Sequence, residues 1–189
     1  ANPRGPWGVL ILSKLPIVKS GFENYYRFNS LTGDEYATEN LPIFFENKNP
    51  NSMNRAIVWL KVEHQGEVYT FVTTHFTWSA GGKTTELQRT SLNGLLGSLE
   101  QFPDLVLCGD FNAPRGREIF TRLSKRFKDN IPAHVTTTID NDLHYAQKNI
   151  QLVVDGLFST TEYEVSQVRV VSGISDHKGV VAEVKKLPR

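Results

Sequence analysis

Leu105-Val106-Leu107-Cys108-Gly109-Asp110-Phe111-Asn112 decides how the rest of this chain is read. Four apolar residues run straight into a glycine, a carboxylate and a carboxamide, as in a buried strand whose end presents short acceptor groups. A second such string, Ser175-Asp176-His177, comes soon after the apolar run Val168-Arg169-Val170-Val171. A carboxylate at the mouth of a buried strand can hold a hard divalent cation or take a proton from water. A histidine beside it can donate to a phosphate oxygen or a leaving group. Two such strand ends facing one pocket would make a site that cleaves phosphoesters.

Upstream of the first string, the spacing predicts a helix from about Thr85 to Phe102. Thr85 followed three residues later by Gln88 reads as a capping box. Leu87, Leu92, Leu95, Leu96 and Leu99 share a face, and Gly94 and Gly97 imply close packing on a sheet. A second helix is predicted over Arg117–Phe127, with Ile119, Phe120, Leu123 and Phe127 inward. Ala56–Glu63 and Val68–His75 read as a hairpin around His64-Gln65-Gly66-Glu67, with Gly66 free to take a positive φ. Leu152–Phe158, Val165–Val171 and Gly179–Lys185 are three late strands. Trp7–Leu12 reads as a buried strand closed by Lys14-Leu15-Pro16, and Ser20–Pro50 as edge strands and long loops. Hairpins outnumber βα alternations, so the expected fold is an α/β sandwich: two mixed, mostly antiparallel sheets with helices outside.

The 189 residues suit one domain spanning 1–189, with 21 Lys and Arg against 20 Asp and Glu. That balance leaves no global basic footprint, so nucleic-acid binding would need a local patch. No apolar run reaches the length of a membrane span. The single Cys108 cannot form an internal disulfide, which points to a reducing, cytoplasmic setting, and its apolar neighbours make it a small core residue.

Taken singly, most of the polar candidates have ordinary explanations. Asp110 and Asn112 suit a strand-to-helix turn before Pro114. His75, at the end of Tyr69–Thr74, and Asp176-His177 are equally at home as hydrogen-bonded turn residues. Asp155 differs, because an acid inside Leu152-Val153-Val154-Asp155-Gly156-Leu157-Phe158 must be paired or ligating. A buried histidine partner would satisfy it and fix that histidine's tautomer. Arg55, beside Asn54, could reach a phosphate with two donors, although a solvated strand-end arginine is the commoner case. His64 and His134 fall in turns or loops, His144 on a loop or pocket rim. Phe22, Tyr25, Tyr26 and Phe28 could stack on bases, but such stripes are more often core.

In order along the chain, these residues resemble the endonuclease/exonuclease/phosphatase superfamily, the deoxyribonuclease I-like fold. The matching strings are Gly8–Ile17, Thr74-His75-Phe76, Gly109-Asp110-Phe111-Asn112-Ala113 with Arg115, Val154–Phe158 and Ser175-Asp176-His177. The Gly-Asp-Phe-Asn and Ser-Asp-His pair is the specific part. The resemblance implies a four-layer sandwich and a metal-dependent phosphodiesterase or phosphatase. It implies that Asp110 orients or deprotonates the attacking water and also serves the metal, and that Asn112 contacts a phosphate oxygen or the metal. His177, held by Asp155, would stabilise or protonate the transition state. Asp176 would bind the cation, usually Mg²⁺, with Mn²⁺ as the alternative, and His75 would assist at the phosphate. Asn54 and Arg55 are the substrate-binding candidates.

One departure bears on the metal. In the family an opening strand, helix and strand, about 30 residues or more, precede the Val9–Leu12 stretch and supply a glutamate ligand. Glu23, Glu35, Glu39 and Glu46 lack that strand-end context. Mg²⁺ relies on one or two carboxylates, so the site is expected to be incomplete without a segment of that kind. A non-catalytic domain of the same fold, serving in binding or assembly, is the competing expectation. DNA, RNA, nucleotide conjugates, phosphoinositides and sphingolipids all stay open as substrates, as does a small-molecule phosphoester.

Overall fold

Two alternating apolar stretches close on a two-residue turn, and the sheet grows from that hairpin. A computed structural model describes residues 8–26, 54–144 and 149–188. Strands β2 (Arg55–His64) and β3 (Glu67–His75) pair antiparallel, with His64 opposite Glu67. Gln65 and Gly66 both take positive φ, +53° and +80°, the handedness that matches the twist of the flanking strands. β1 (Ile17–Tyr26) lies antiparallel on β2 at the sheet edge, where the sequence places edge structure. Residues 27–53 of the Ser20–Pro50 stretch lie outside the described residues.

From β3 the chain crosses over through α1 (Glu86–Leu99) to β4 (Val106–Asp110), which runs parallel to β3. Leu92, Leu95 and Leu99 of α1 are buried on the sheet. A Cβ at Gly94 would overlap the Tyr25 carbonyl, so this helix sits on β1 at a distance that only glycine permits. At Gly97 the space is open, and the close packing read from both glycines holds at one of them. α2 (Glu118–Arg126) buries Ile119, Phe120 and Leu123 and has Glu118 at its start and Lys125 and Arg126 at its end, in accord with the helix dipole. β5 (Lys128–Asp129) and β6 (Asp155–Ser159) complete a sheet of order β1-β2-β3-β4-β6-β5. β7 (Tyr163–Val171) and β8 (Gly179–Lys186) form a second, two-stranded sheet.

The result is an α/β sandwich in which one parallel pair, β3 and β4, stands among antiparallel ones. One core layer, including Ile57, Val72, Leu95, Phe111, Phe120 and Phe158, lies between the six-stranded sheet and both helices. A second layer, including Val106, Val153, Leu157 and Tyr163, lies under β7 and β8. At one end the sheets are clasped: Tyr163 Oη donates to Asp104 Oδ1 at 2.7 Å and accepts from the Thr70 N–H at 2.9 Å, while Lys186 Nζ lies 3.1 Å from Asp104.

Two strand readings need correction. Residues 8–12 form no strand: Val9 and Ile11 are half-buried, Leu10 and Leu12 are exposed at 73% and 83%, and no ladder partner exists among the described residues. Apolar pattern alone cannot make a strand, because its backbone groups need a neighbour. In the second case, Leu152–Val154 precede β6 instead of starting it. Their carbonyls accept from Thr138, Arg115 and Phe111 N–H groups, so loops rather than a ladder satisfy this run.

Candidate active site

Strand register alone brings distant parts of the chain together. His75 ends β3 opposite Asp110 at the end of β4, and Asp110 stands opposite Asp155 at the start of β6. The Phe76 N–H donates to the Asp110 carbonyl at 2.8 Å, and the Phe111 N–H to the Val154 carbonyl at 2.9 Å. Phe111 turns into the core edge-to-face with Phe158, which anchors the Asp110–Asn112 turn from below. His177 comes from the β7–β8 connection, tied into a turn by Ser175 Oγ and bridged to Ile139.

His177 Nδ1 lies 2.8 Å from Asp155 Oδ2, and His75 Nε2 lies 3.5 Å from Asp110 Oδ2. The environments push the two histidines apart. The hydrogen bond to Asp155, more than the opposing burial, raises His177 to about 9. Burial first, then the Arg55 and His177 charges, lowers His75 to about 4. Burial and the neighbouring Asp155 charge raise Asp110 to about 7, against the pull of His177 and of the Asn112 N–H. At neutral pH the site therefore holds a cationic His177, a neutral His75 and a carboxyl near its midpoint, the ionisation pattern of an acid–base pair.

Asn112 adopts a left-handed backbone, φ +49°, so the chain turns sharply as it leaves β4, in keeping with a turn before Pro114. Its N–H donates to Asp110 Oδ1 at 2.7 Å and its Nδ2 to the Phe76 carbonyl at 3.0 Å. These two bonds tie the Asp110 carboxylate and the Asn112 side chain into one turn. Arg55 is buried, donates to the His75 carbonyl at 3.3 Å and attracts the Asp110 charge, so the solvated reading of this residue does not hold. Asn54, half-buried, precedes it. Asp176 is close enough to raise His177 but lies outside the tightest cluster.

Other candidates settle into structural places. His64 and His134 are exposed and His144 is half-buried. Tyr25 is half-buried, with its hydroxyl 2.9 Å from Thr74 Oγ1, and Tyr26 is buried, whereas Phe22 is exposed at 67%. Arg115 pairs with Asp129 at 2.9 Å and donates to the Ile131 and Pro132 carbonyls, bracing the turn. Two residues that support the site had no weight in the sequence reading. Thr138 is fully buried behind Asp155. Gln88 is also fully buried, and its side chain donates to the Thr77 carbonyl at 2.8 Å instead of closing a capping box. The other half of that box is present, the Gln88 N–H donating to Thr85 Oγ1.

Asp110, Asp155 and His177 each offer a ligating atom, all within 4.8 Å of one another. The two carboxylate oxygens suit a hard divalent cation, and His177, cationic beside Asp155, stands next to them as a donor and not as a ligand. The mutual repulsion that lifts Asp110 is what a bound cation would relieve. The residues fit such an ion.

Neither a protein-family model nor a curated protein matches this sequence. Solved structures do. An endonuclease/exonuclease/phosphatase from Bacteroides vulgatus is 15% identical with a TM-score of 0.64, covering 90% of this chain and 66% of its own. One from Beutenbergia cavernae is 16% identical with a TM-score of 0.67, over 93% and 46%. The mannosyl-6-phosphatase of Bacteroides thetaiotaomicron is 13% identical with a TM-score of 0.60, over 90% and 67%. The fold is that of the endonuclease/exonuclease/phosphatase structures. Within that fold, this chain spans about two thirds or less of the length of these three. Among its described residues no helix is long and apolar enough to cross a membrane.

Proposed function

We propose that this chain carries the catalytic part of a divalent-metal-dependent phosphoester hydrolase that attacks a phosphodiester with water. The observation that carries this reading is the meeting of Asp110, Asp155 and His177 within 4.8 Å, with His75 beside Asp110. Asp110 orients the attacking water or takes its proton, from the end of β4 beside His75. Asp155 holds His177 as a cation that donates to a phosphoryl oxygen or to the leaving oxygen. His75, neutral, hydrogen-bonds at the phosphate, and Arg55 contributes a fixed positive charge. Asn112 and Asn54 contact phosphate oxygens. Mg²⁺ or Mn²⁺, held by Asp110 and Asp155 with Asp176 on its outer side, would neutralise charge on the phosphoryl oxygens. The near-neutral balance of 21 basic and 20 acidic residues favours a short phosphodiester over long DNA held by charge alone. The lone Cys108 supports a cytoplasmic setting.

The test is hydrolysis of bis(p-nitrophenyl) phosphate and p-nitrophenyl phosphate with Mg²⁺, Mn²⁺ or EDTA. Metal-dependent diester cleavage is expected, with Asp110→Asn and His177→Ala each losing about 10²–10⁴-fold in kcat. Equal turnover in wild type and both variants would overturn the reading, and monoester cleavage alone would make the protein a phosphatase.

The engagement of Asp155 by His177 at 2.8 Å, which leaves Asp110 as the carboxylate of the cluster not bound by that histidine, favours a second reading, a domain that binds without turnover. It requires no heat of Mg²⁺ binding by calorimetry and no hydrolysis with either metal. Recovery of both on adding an upstream strand–helix–strand segment that brings a carboxylate would restore the enzyme reading and make that segment a partner of this site.

A further inference from the structure

We infer that Thr138 is a positioning residue that sets Asp155 against His177; as a statement about turnover this rests on the hydrolase reading above. Thr138 is fully buried in the connection between β5 and β6, outside any named strand. Its Oγ1 accepts two successive backbone N–H groups, those of Val154 and Asp155, each at 3.1 Å. A hydroxyl oxygen has two lone pairs, so both are engaged. Its own N–H donates to the Leu152 carbonyl at 3.0 Å, and its carbonyl accepts from the Lys178 N–H at 2.8 Å. The next residue, Ile139, bridges His177. One residue thus fixes the backbone on both sides of a 2.8 Å pair whose members are 22 residues apart.

This bracing acts where β6 has only begun. Asp155 is the first residue of that strand, and its ladder partner, Asp110, is itself a strand end. Threonine joins a small apolar body, suited to full burial, with an acceptor that meets two N–H groups. Valine keeps the shape and leaves both N–H groups without a partner in a buried place, whereas serine keeps the acceptor.

The experiment compares Thr138→Val and Thr138→Ser with wild type, using Leu123→Ala in the α2 core as a stability control. Kinetics on the diester give one readout, and the low-field NMR resonance of the His177 Nδ1 proton gives another. In Thr138→Val, kcat is expected to fall about 10–100-fold with KM within about two-fold, because small misplacements of reacting groups carry such factors. The resonance is expected to move or vanish in Thr138→Val and to stay in Thr138→Ser and Leu123→Ala. A wild-type resonance and wild-type kcat in Thr138→Val would overturn the inference. So would an equal loss of kcat in Leu123→Ala at matched melting temperature. If wild type cleaves no phosphoester, the hydrolase reading has failed, and the resonance alone decides the role of Thr138. If Thr138→Val does not fold, Thr138→Cys, with its weaker acceptor, is judged by the same two results.

Discussion

Asp155 Oδ2 and His177 Nδ1 stand 2.8 Å apart, and Asp155 is also the cross-strand neighbour of Asp110. The same carboxylate therefore raises the proton affinity of a histidine and of a second carboxyl. This shared dependence is the electrostatic basis of the site, and it can be tested one group at a time.

The two histidines are expected to titrate far apart, His177 at about 9 and His75 at about 4, in an NMR titration of their ring protons. Asp155→Asn should return His177 toward the ordinary 6.5. The stability consequence follows from the sign. The folded-state value of His177 lies above its unfolded one, so its contribution is full below pH 6.5 and is lost as pH rises through about 9. Urea unfolding should show a decline of roughly 1–2 kcal/mol across that window, allowing for partial exposure, and Asp155→Asn should flatten it. His75 works the other way: its contribution is present above pH 6.5 and lost as pH falls through about 4. Both rings titrating together near 6.5 would dismiss this picture.

Gly109 carries φ +148°, and a Cβ there would overlap the Thr74 carbonyl of the parallel neighbour β3. Backbone cannot yield as a side-chain tip can. Gly109→Ala should therefore cost about 3 kcal/mol or more and displace Asp110 with it. A melting temperature within about two degrees of wild type would contradict the packing described here.

Gln88 is expected to matter more to the site than to its helix. Gln88→Met keeps the N–H cap on Thr85 but leaves the Thr77 carbonyl without its 2.8 Å donor, two residues beyond His75. A loss of about 1–3 kcal/mol is expected by urea unfolding, with the helical circular dichroism unchanged. Loss of helix signal in the folded variant would mean that the capping role dominates.

These cases show what a sequence can and cannot carry. Apolar runs and alternation locate β2, β3, β4, β7 and β8, and helical spacing locates α1 and α2, because those signals are local. Gly-Asp-Phe-Asn marks the end of β4 for the same reason, whereas Ser-Asp-His lies in the β7–β8 connection and not at a strand end. The apolar run Val9–Leu12 is an equally local signal, yet a strand needs a partner that no local pattern reveals. Thr138 was invisible because its hydroxyl serves N–H groups 16 and 17 residues away. Gln88 was misassigned because the same letter suits a capping box and an inward amide, and only tertiary packing chooses between them.

The clasp at the other end of the sheets offers a contrast. Tyr163→Phe removes the acceptor of the buried Thr70 N–H and one donor to Asp104, which keeps Lys186 at 3.1 Å. About 1–3 kcal/mol of stability should be lost. From Thr70 to His75, β3 extends roughly 17 Å, so the site residues stay in register. kcat and KM on the diester should be unchanged in the folded variant, while the urea midpoint falls. Asp104→Ala should cost more, since it takes the carboxylate from the Lys186 ammonium and leaves it the Val68 carbonyl, 2.7 Å away, and the Tyr163 ring face. An unchanged midpoint in Tyr163→Phe, or lost turnover in the folded protein, would show that this clasp and the candidate site are not the separate devices that their positions at opposite ends of β3 imply.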